Sequence, residues 1–277
     1  MQIRTPSRIA TAVVLGVSLT FLLGLTSARS DKERGFLYAT IWPLPPSQVA
    51  TIDLNTEAVK VIGNTEFTDS AALAICPGGV AYTITNIFEE PSPSHLAVLN
   101  LGTGAETQIG SPIPPGQDMM ALECSRSGIL YAVGGSDPTN SDYNSLYAIN
   151  RVTGQLYRLG STRVNDGFGD DMFMALRFAP NGELYGANPS ALYRIHRITG
   201  HAEKVVEFSD NVKGNVMGLA IDDDGNFYIA DYTADSHIYS LDTRTGAATS
   251  ILDATSVYSP IHSIAFKTRG KEEAEER

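Results

Sequence analysis

Residues 120–160, MALECSRSGILYAVGGSDPTNSDYNSLYAINRVTGQLYRLG, carry four short runs rich in Leu, Tyr, Ile and Val, separated by turn residues. Such alternation reads as four antiparallel strands. The connections differ in length. Ser125–Gly128 and Val152–Gly154 are tight, whereas Gly134–Ser145 is long and polar. A four-stranded sheet of this kind cannot bury both faces alone, so copies of it are needed, and they are present. ALAICPGGVAYTITN begins at Ala72, ALRFAPNGELYGAN at Ala175 and GLAIDDDGNFYIAD at Gly218. First strands start at Ala72, Ala121, Ala175, Gly218 and Ser263, spaced by 49, 54, 43 and 45 residues, and a Thr-Gly turn recurs at Gly104, Gly154, Gly200 and Gly246. Four-stranded units with a period of about 40–50 residues predict a β-propeller.

The two ends of the pattern set the blade number. Phe36 to Gly63 supplies only three strands, and Ile261 to Lys267 supplies one more. Together they make a fifth blade, so the chain is expected to be all-β: a five-bladed propeller closed by pairing of strand 261–267 into the N-terminal blade. Residues 36–268 form its single domain.

Because strands alternate in direction, the connections between first and second strands share one face with those between third and fourth. All of these are minimal turns, such as Pro77–Gly79, Ala179–Gly182 and the Thr-Gly pairs. The other face takes the long connections: Trp42–Gln48, Asn86–Ser94, Gly134–Ser145, Ser111–Asp118 and Ser161–Asp171 among them, with only Asn188–Ser190 short. Loops longer than a connection requires are where binding residues concentrate. This face is acidic, with thirteen Asp and Glu against chiefly Arg163 and Lys213.

Composition narrows the partners. Residues 1–28 join a basic start (Arg4, Arg8) to an apolar run and a small-residue Thr26-Ser27-Ala28, the pattern of a cleaved signal peptide. Residues 29–35 are a charged lead-in, and 269–277, RGKEEAEER, read as a charged disordered tail. The expected location is secreted or periplasmic. Cleavage removes Arg4 and Arg8, taking the net charge from −11 to −13. So acidic a chain argues against nucleic acid and, once the signal is gone, against the membrane as partners. A monomer is expected. The two cysteines, Cys76 and Cys124, are either a disulfide of an exported protein or buried strand thiols; the sequence leaves this open.

Candidate chemistry gathers where the central channel opens among the long loops. Asp69, Asp118, Asp170, Asp171, Asn215 and His262 stand just before the first strands, and carboxylates around one axis suit a hard cation such as calcium, although Asp and Asn are also ordinary turn formers there. A metal set of Asp69, Asp118, Asp171, Asn215 and His262 follows. Nearer the strands the ring reads Ala71, Met120, Met174, Met217 and His262; thioethers and an imidazole can hold Cu(I), but Met is the usual filler where blades crowd and these positions share parity with core residues such as Leu73 and Ile75, so core packing is the expected reading. Trp42, Asn86, Asp137, Asn188, Asp231 and Tyr232, at the ends of second strands or in the loops that follow, are the candidate ligand-binding residues. No nucleophile elbow, phosphate loop or zinc spacing appears, and Asp222–Asn226 is turn chemistry rather than an EF-hand loop.

The segment GLAIDDDGNFYIAD…IYSLDTRTG resembles the repeats of regucalcin- and gluconolactonase-type lactonases, and those of NHL-like and quinoprotein-like propellers. The resemblance spans nearly the whole chain after residue 35 as a repeat pattern. It implies a propeller and, for the lactonases, six blades and an axial metal held by an Asp directly before the Gly that opens an inner strand. Here Met217 stands before Gly218. The sequence therefore supports a propeller binding a small ligand or partner protein through its acidic long-loop face, with a calcium-dependent hydrolase or lactonase at the channel mouth, or a structural extracellular module, as alternatives.

Overall fold

The computed structural model describes residues 35–42, 46–87, 92–135, 139, 141–164, 171–253 and 260–267. The expected signal peptide (1–28), most of the charged lead-in and the expected tail (269–277) lie outside them. The strands are β1 (Phe36–Ile41), β2 (Gln48–Asp53), β3 (Ala58–Asn64), β4 (Ala71–Ile75), β5 (Ala81–Thr85), β6 (His95–Leu99), β7 (Glu106–Ile109), β8 (Met119–Cys124), β9 (Leu130–Gly134) and β10 (Ser145–Ile149). They continue with β11 (Leu156–Ser161), β12 (Ala175–Phe178), β13 (Leu184–Ala187), β14 (Ala191–Ile195), β15 (Ala202–Glu207), β16 (Val216–Ile221), β17 (Phe227–Asp231), β18 (His237–Leu241), β19 (Ala248–Asp253) and β20 (Ile261–Phe266).

Four sheets take four consecutive strands each, and the remaining sheet has the order β20-β1-β2-β3. The innermost strands touch in a closed ring, β20 to β4 to β8 to β12 to β16 and back to β20. This is the expected five-bladed propeller. Its ring is sealed where β20 pairs antiparallel with β1, Leu37 opposite Phe266 and Ala39 opposite Ile264.

Burial falls off outward. Every residue of β4 is buried, whereas β15 exposes Glu203, Lys204, Val205 and Glu207. The repeated Thr-Gly turns latch neighbouring blades. The end of one blade's fourth strand lies so close to the next blade's turn that a Cβ at Gly63 or Gly160 would strike the carbonyl oxygen of Thr103 or Thr199. Only glycine permits that approach. Cys76 and Cys124 are joined in a disulfide between blades 2 and 3, with Cα atoms 5.0 Å apart.

One side chain ties the inner strands together. The buried Arg177 guanidinium, on β12, donates to the carbonyls of Leu73 (2.8 Å), Leu122 (3.1 Å) and Leu176 (2.7 Å), and also to that of Ile264. These four carbonyls occupy equivalent positions on β4, β8, β12 and β20, so the guanidinium lies on the propeller axis. Glu123 Oε2 accepts from the same group at 2.9 Å. The position that is Glu123 on β8 and Arg177 on β12 is Ala74, Ala220 or Ala265 on the other inner strands. Three alanines thus leave the hole that one arginine fills. Burial raises the Glu123 carboxyl to about 7, with Arg177 pulling it back down.

Three outcomes are expected. Arg177→Met should cost about 3–5 kcal/mol in denaturant unfolding, because Glu123 would stay buried without its cation. Adding Glu123→Gln should recover part of that loss. Replacing both cysteines by alanine removes a 48-residue loop closure, a loss of about 4 kcal/mol. It should lower the melting temperature by about 8–16 °C for a domain of this size.

Candidate functional site

The long connections do share one face, as backbone hydrogen bonds between them show. Trp42 N–H donates to Pro260 O (2.9 Å), Thr65 to Ser47 (2.8 Å), Ile113 to Ser94 (2.8 Å), Thr162 to Asn144 (3.2 Å), Phe208 to Ser190 (2.8 Å) and Tyr232 to Asn215 (2.8 Å). Each bond links a loop after a second strand to a loop before a first strand.

Beside these loops the inner strands leave regular pairing. The ladder shifts by one residue between Met119 and Ala121 on β8, between Val216 and Gly218 on β16, and opposite Thr40 and Ile41 on β20. The extra residues are Met120, Met217 and His262. A bulge of this kind re-aims a side chain that regular alternation would send into a blade interface. It also explains why β8, β16 and β20 begin two residues earlier than the repeat spacing alone predicts.

The re-aimed side chains converge. Met120 and Met217 share one buried cluster with Met119, Met174, Ala71 and Ala72, and half-buried Met172 and Tyr232 pack on it. The cluster's other buried members belong to blades 2 and 3, so Met174 of blade 4 and Met217 of blade 5 extend it around the ring of inner strands. Beside this cluster the rings of Trp42, Tyr232 and His262 form a triangle. Their centroids lie 6.2 Å (Trp42 to Tyr232), 6.0 Å (Trp42 to His262) and 6.2 Å (Tyr232 to His262) apart.

His262 is 2% exposed, and neither of its ring nitrogens has a hydrogen-bond partner. Burial lowers its pKa to about 4, so the ring is neutral at physiological pH. Burial, and after it the Asp69 carboxylate, raises the Tyr232 phenol. Asp69 therefore sets a negative charge near the triangle.

The other candidates are mostly occupied in building loops. Asp171 is buried; its Oδ1 accepts from the Tyr143 hydroxyl and its backbone carbonyl from Asn144 Nδ2 at 3.0 Å. Asn215 is exposed and Asp118 half-buried. Among the described residues no three His, Cys, Asp or Glu side chains gather as a metal-holding group. Asp170 and Asp137 lie outside the described residues. Asn188 accepts from the N–H groups of Ser190 (3.1 Å) and Ala191 (2.7 Å), which makes it a turn former. Asn86 has a positive φ of 55° and spans its own loop to Pro93 O at 3.4 Å.

Asp231 is fully buried. Its Oδ1 accepts from His237 N–H (2.8 Å) and Thr233 Oγ1 (3.0 Å), its Oδ2 from the Tyr239 hydroxyl (2.8 Å), and the His237 ring passes the chain on to Lys213 Nζ (2.9 Å). Sequence reasoning missed His237, Tyr239 and Lys213 as parts of this scaffold, and Asn144 as part of that around Asp171. A polar residue at a strand end, followed by turn formers, is the faint signal it had. Of the sequence candidates, then, Trp42, Tyr232 and His262 are brought together with the methionine ring.

No protein-family model matches the chain, and no curated protein does. Solved structures do. A protein of unknown function from Bacteroides thetaiotaomicron VPI-5482 is 18% identical over 80% of this chain and 60% of its own, with a TM-score of 0.53. A nidogen/laminin complex is 13% identical over 85% and 98%, with a TM-score of 0.54. A TolB from Acinetobacter baumannii is 15% identical over 79% and 53%, with a TM-score of 0.48. This chain thus spans little more than half the length of the first and third. At such identities the likeness is one of fold alone: the chain is a β-propeller.

The internal role of Asp231 has a measurable consequence. Asp231→Ala strands several buried donors, at about 1–3 kcal/mol for each group left unsatisfied. It should destabilise the protein well beyond an exposed change such as Asp210→Ala, as read by denaturant midpoint.

Proposed function

We propose that this protein is an exported binding propeller, and that a small ligand occupies the axial mouth of its long-loop face. The observation that carries the reading is His262. A polar ring buried without a partner costs about 1–3 kcal/mol, a cost that a bound group meeting its nitrogens would offset. Trp42 and Tyr232 supply flat apolar walls beside it, and the few convergent polar groups of an otherwise apolar recess are what small-molecule sites use for orientation. The oxidised Cys76–Cys124 pair is in keeping with an exported protein.

Trp42 is the chain's single tryptophan, so its emission reports on this mouth and nowhere else. A panel of small metabolites, read by melting temperature and Trp42 fluorescence together, should yield compounds that shift both. Tyr232→Ala and His262→Ala should abolish both shifts. Compounds whose effects survive these substitutions bind elsewhere, and a panel showing only that behaviour overturns the reading.

A further inference from the structure

The chain has six methionines. Apart from Met1 they are Met119, Met120, Met172, Met174 and Met217, and all five lie in or against the one buried cluster at the axial mouth. Gap-filling alone does not call for that confinement: the other core clusters, which together draw on all five blades, contain no methionine. Three of the five come from the inner-strand openings of blades 3, 4 and 5 at the position where blade 1 supplies His262. Two of those three, with His262, are the extra residues of β-bulges. Met120, Met174 and Met217 thus share one buried cluster although they come from different blades, and Tyr232, packed against that cluster, lies beside the His262 ring, whose nitrogens are buried and unpartnered.

The donor set selects the ion. Thioethers and a neutral imidazole bring no negative charge, and the desolvation of a buried ion grows steeply with its charge. A divalent ion would find no charged donor within this set and only the Asp69 carboxylate near it, whereas a monovalent soft ion matches sulfur ligands. Both cysteines are spent in the disulfide, so no thiol competes for such an ion. Trp42 flanks His262 at 6.0 Å and offers a ring face or edge to whatever the imidazole holds.

We infer that the axial mouth is a site for a soft monovalent metal ion, Cu(I) or Ag(I), held by His262 together with Met217 and its ring neighbours Met120 and Met174. This rests on the reading of the mouth as a binding site and names what it binds.

The test uses Ag(I), which needs no reductant, titrated in chloride-free buffer, and Cu(I) delivered anaerobically against a chromogenic chelator with ascorbate, which spares the disulfide. One equivalent should bind and alter Trp42 emission. His262→Ala should weaken binding by at least the roughly 100-fold that removal of even a supporting residue can reach at metal sites. Met217→Leu, close in volume, should weaken it while the melting temperature of the metal-free protein stays near wild type. Met119→Leu, at a regular ladder position, should leave affinity unchanged. Absence of stoichiometric uptake overturns the metal assignment, as does uptake indifferent to His262→Ala and Met217→Leu, or Ca²⁺ displacing Ag(I). The metabolite panel stands apart from these outcomes: compounds lost in Tyr232→Ala would keep the mouth as a binding site even where no metal binds, and failure of both experiments would remove the site itself.

Discussion

Five inner strands meeting around an axis bring backbone carbonyls together at each level of the channel, and a buried carbonyl without a donor is costly. Arg177 resolves this at mid-depth. Its fork of donors reaches equivalent carbonyls on four of the five inner strands, its own included. A guanidinium suits the task because it carries several N–H groups in one plane and stays charged when buried. Its charge is met by Glu123 from the adjacent blade, at the equivalent position in the repeat. The axis is therefore tied by one asymmetric side chain within a nearly fivefold frame. The alanines of the other three blades are the complement that makes room for it.

That tie also sets the depth of the mouth. The carbonyl ring belongs to Leu73, Leu122, Leu176 and Ile264, whereas the bulged residues Met120 and His262 lie two positions nearer the long-loop face. At about 3.3 Å per residue, the plugged level sits some 6–7 Å beneath the methionine and histidine layer. Below it the blades keep regular pairing; above it the strands bulge and the loops begin. The recess is the height over which the repeat stops being regular, as is common where bulges sit beside functional sites.

The repeat was legible because each blade needs the same alternation and the same tight turns. Ala-Leu openings and Thr-Gly corners recur whatever a blade's neighbours are, so period, strand count and closure could be read by eye. The residues that break the repeat were harder to value. Ala-Leu-Glu and Ala-Leu-Arg in blades 3 and 4 show a charge pair at one register position, but nothing local says that the two groups meet on the axis rather than in solvent. The bulges were invisible, since one extra residue in a strand leaves no mark in its composition. Without them His262 could not be distinguished from a turn-flanking histidine. The disulfide was open for a related reason: whether Cys76 and Cys124 face each other depends on stagger between blades, which spacing alone does not set.

The acidic character of the long-loop face separates into two roles once each carboxylate's partners are known. Asp231 is committed to one loop of blade 5, Asp171 receives Tyr143, and Asp142 pairs with Arg158 at 3.0 Å. Carboxylates so engaged hold loops in place and contribute little free charge to a ligand. At the axis, where loops end and strands begin, the donors are instead sulfur, imidazole and aromatic faces, with Asp69 near them. Loops long enough to carry function need internal acceptors to order their backbones, and Asp and Asn serve that need best. Asp231, Asp171 and Asp142 thus report how the face is built. The chemistry proposed for it rests instead on the few side chains that the strand bulges displace.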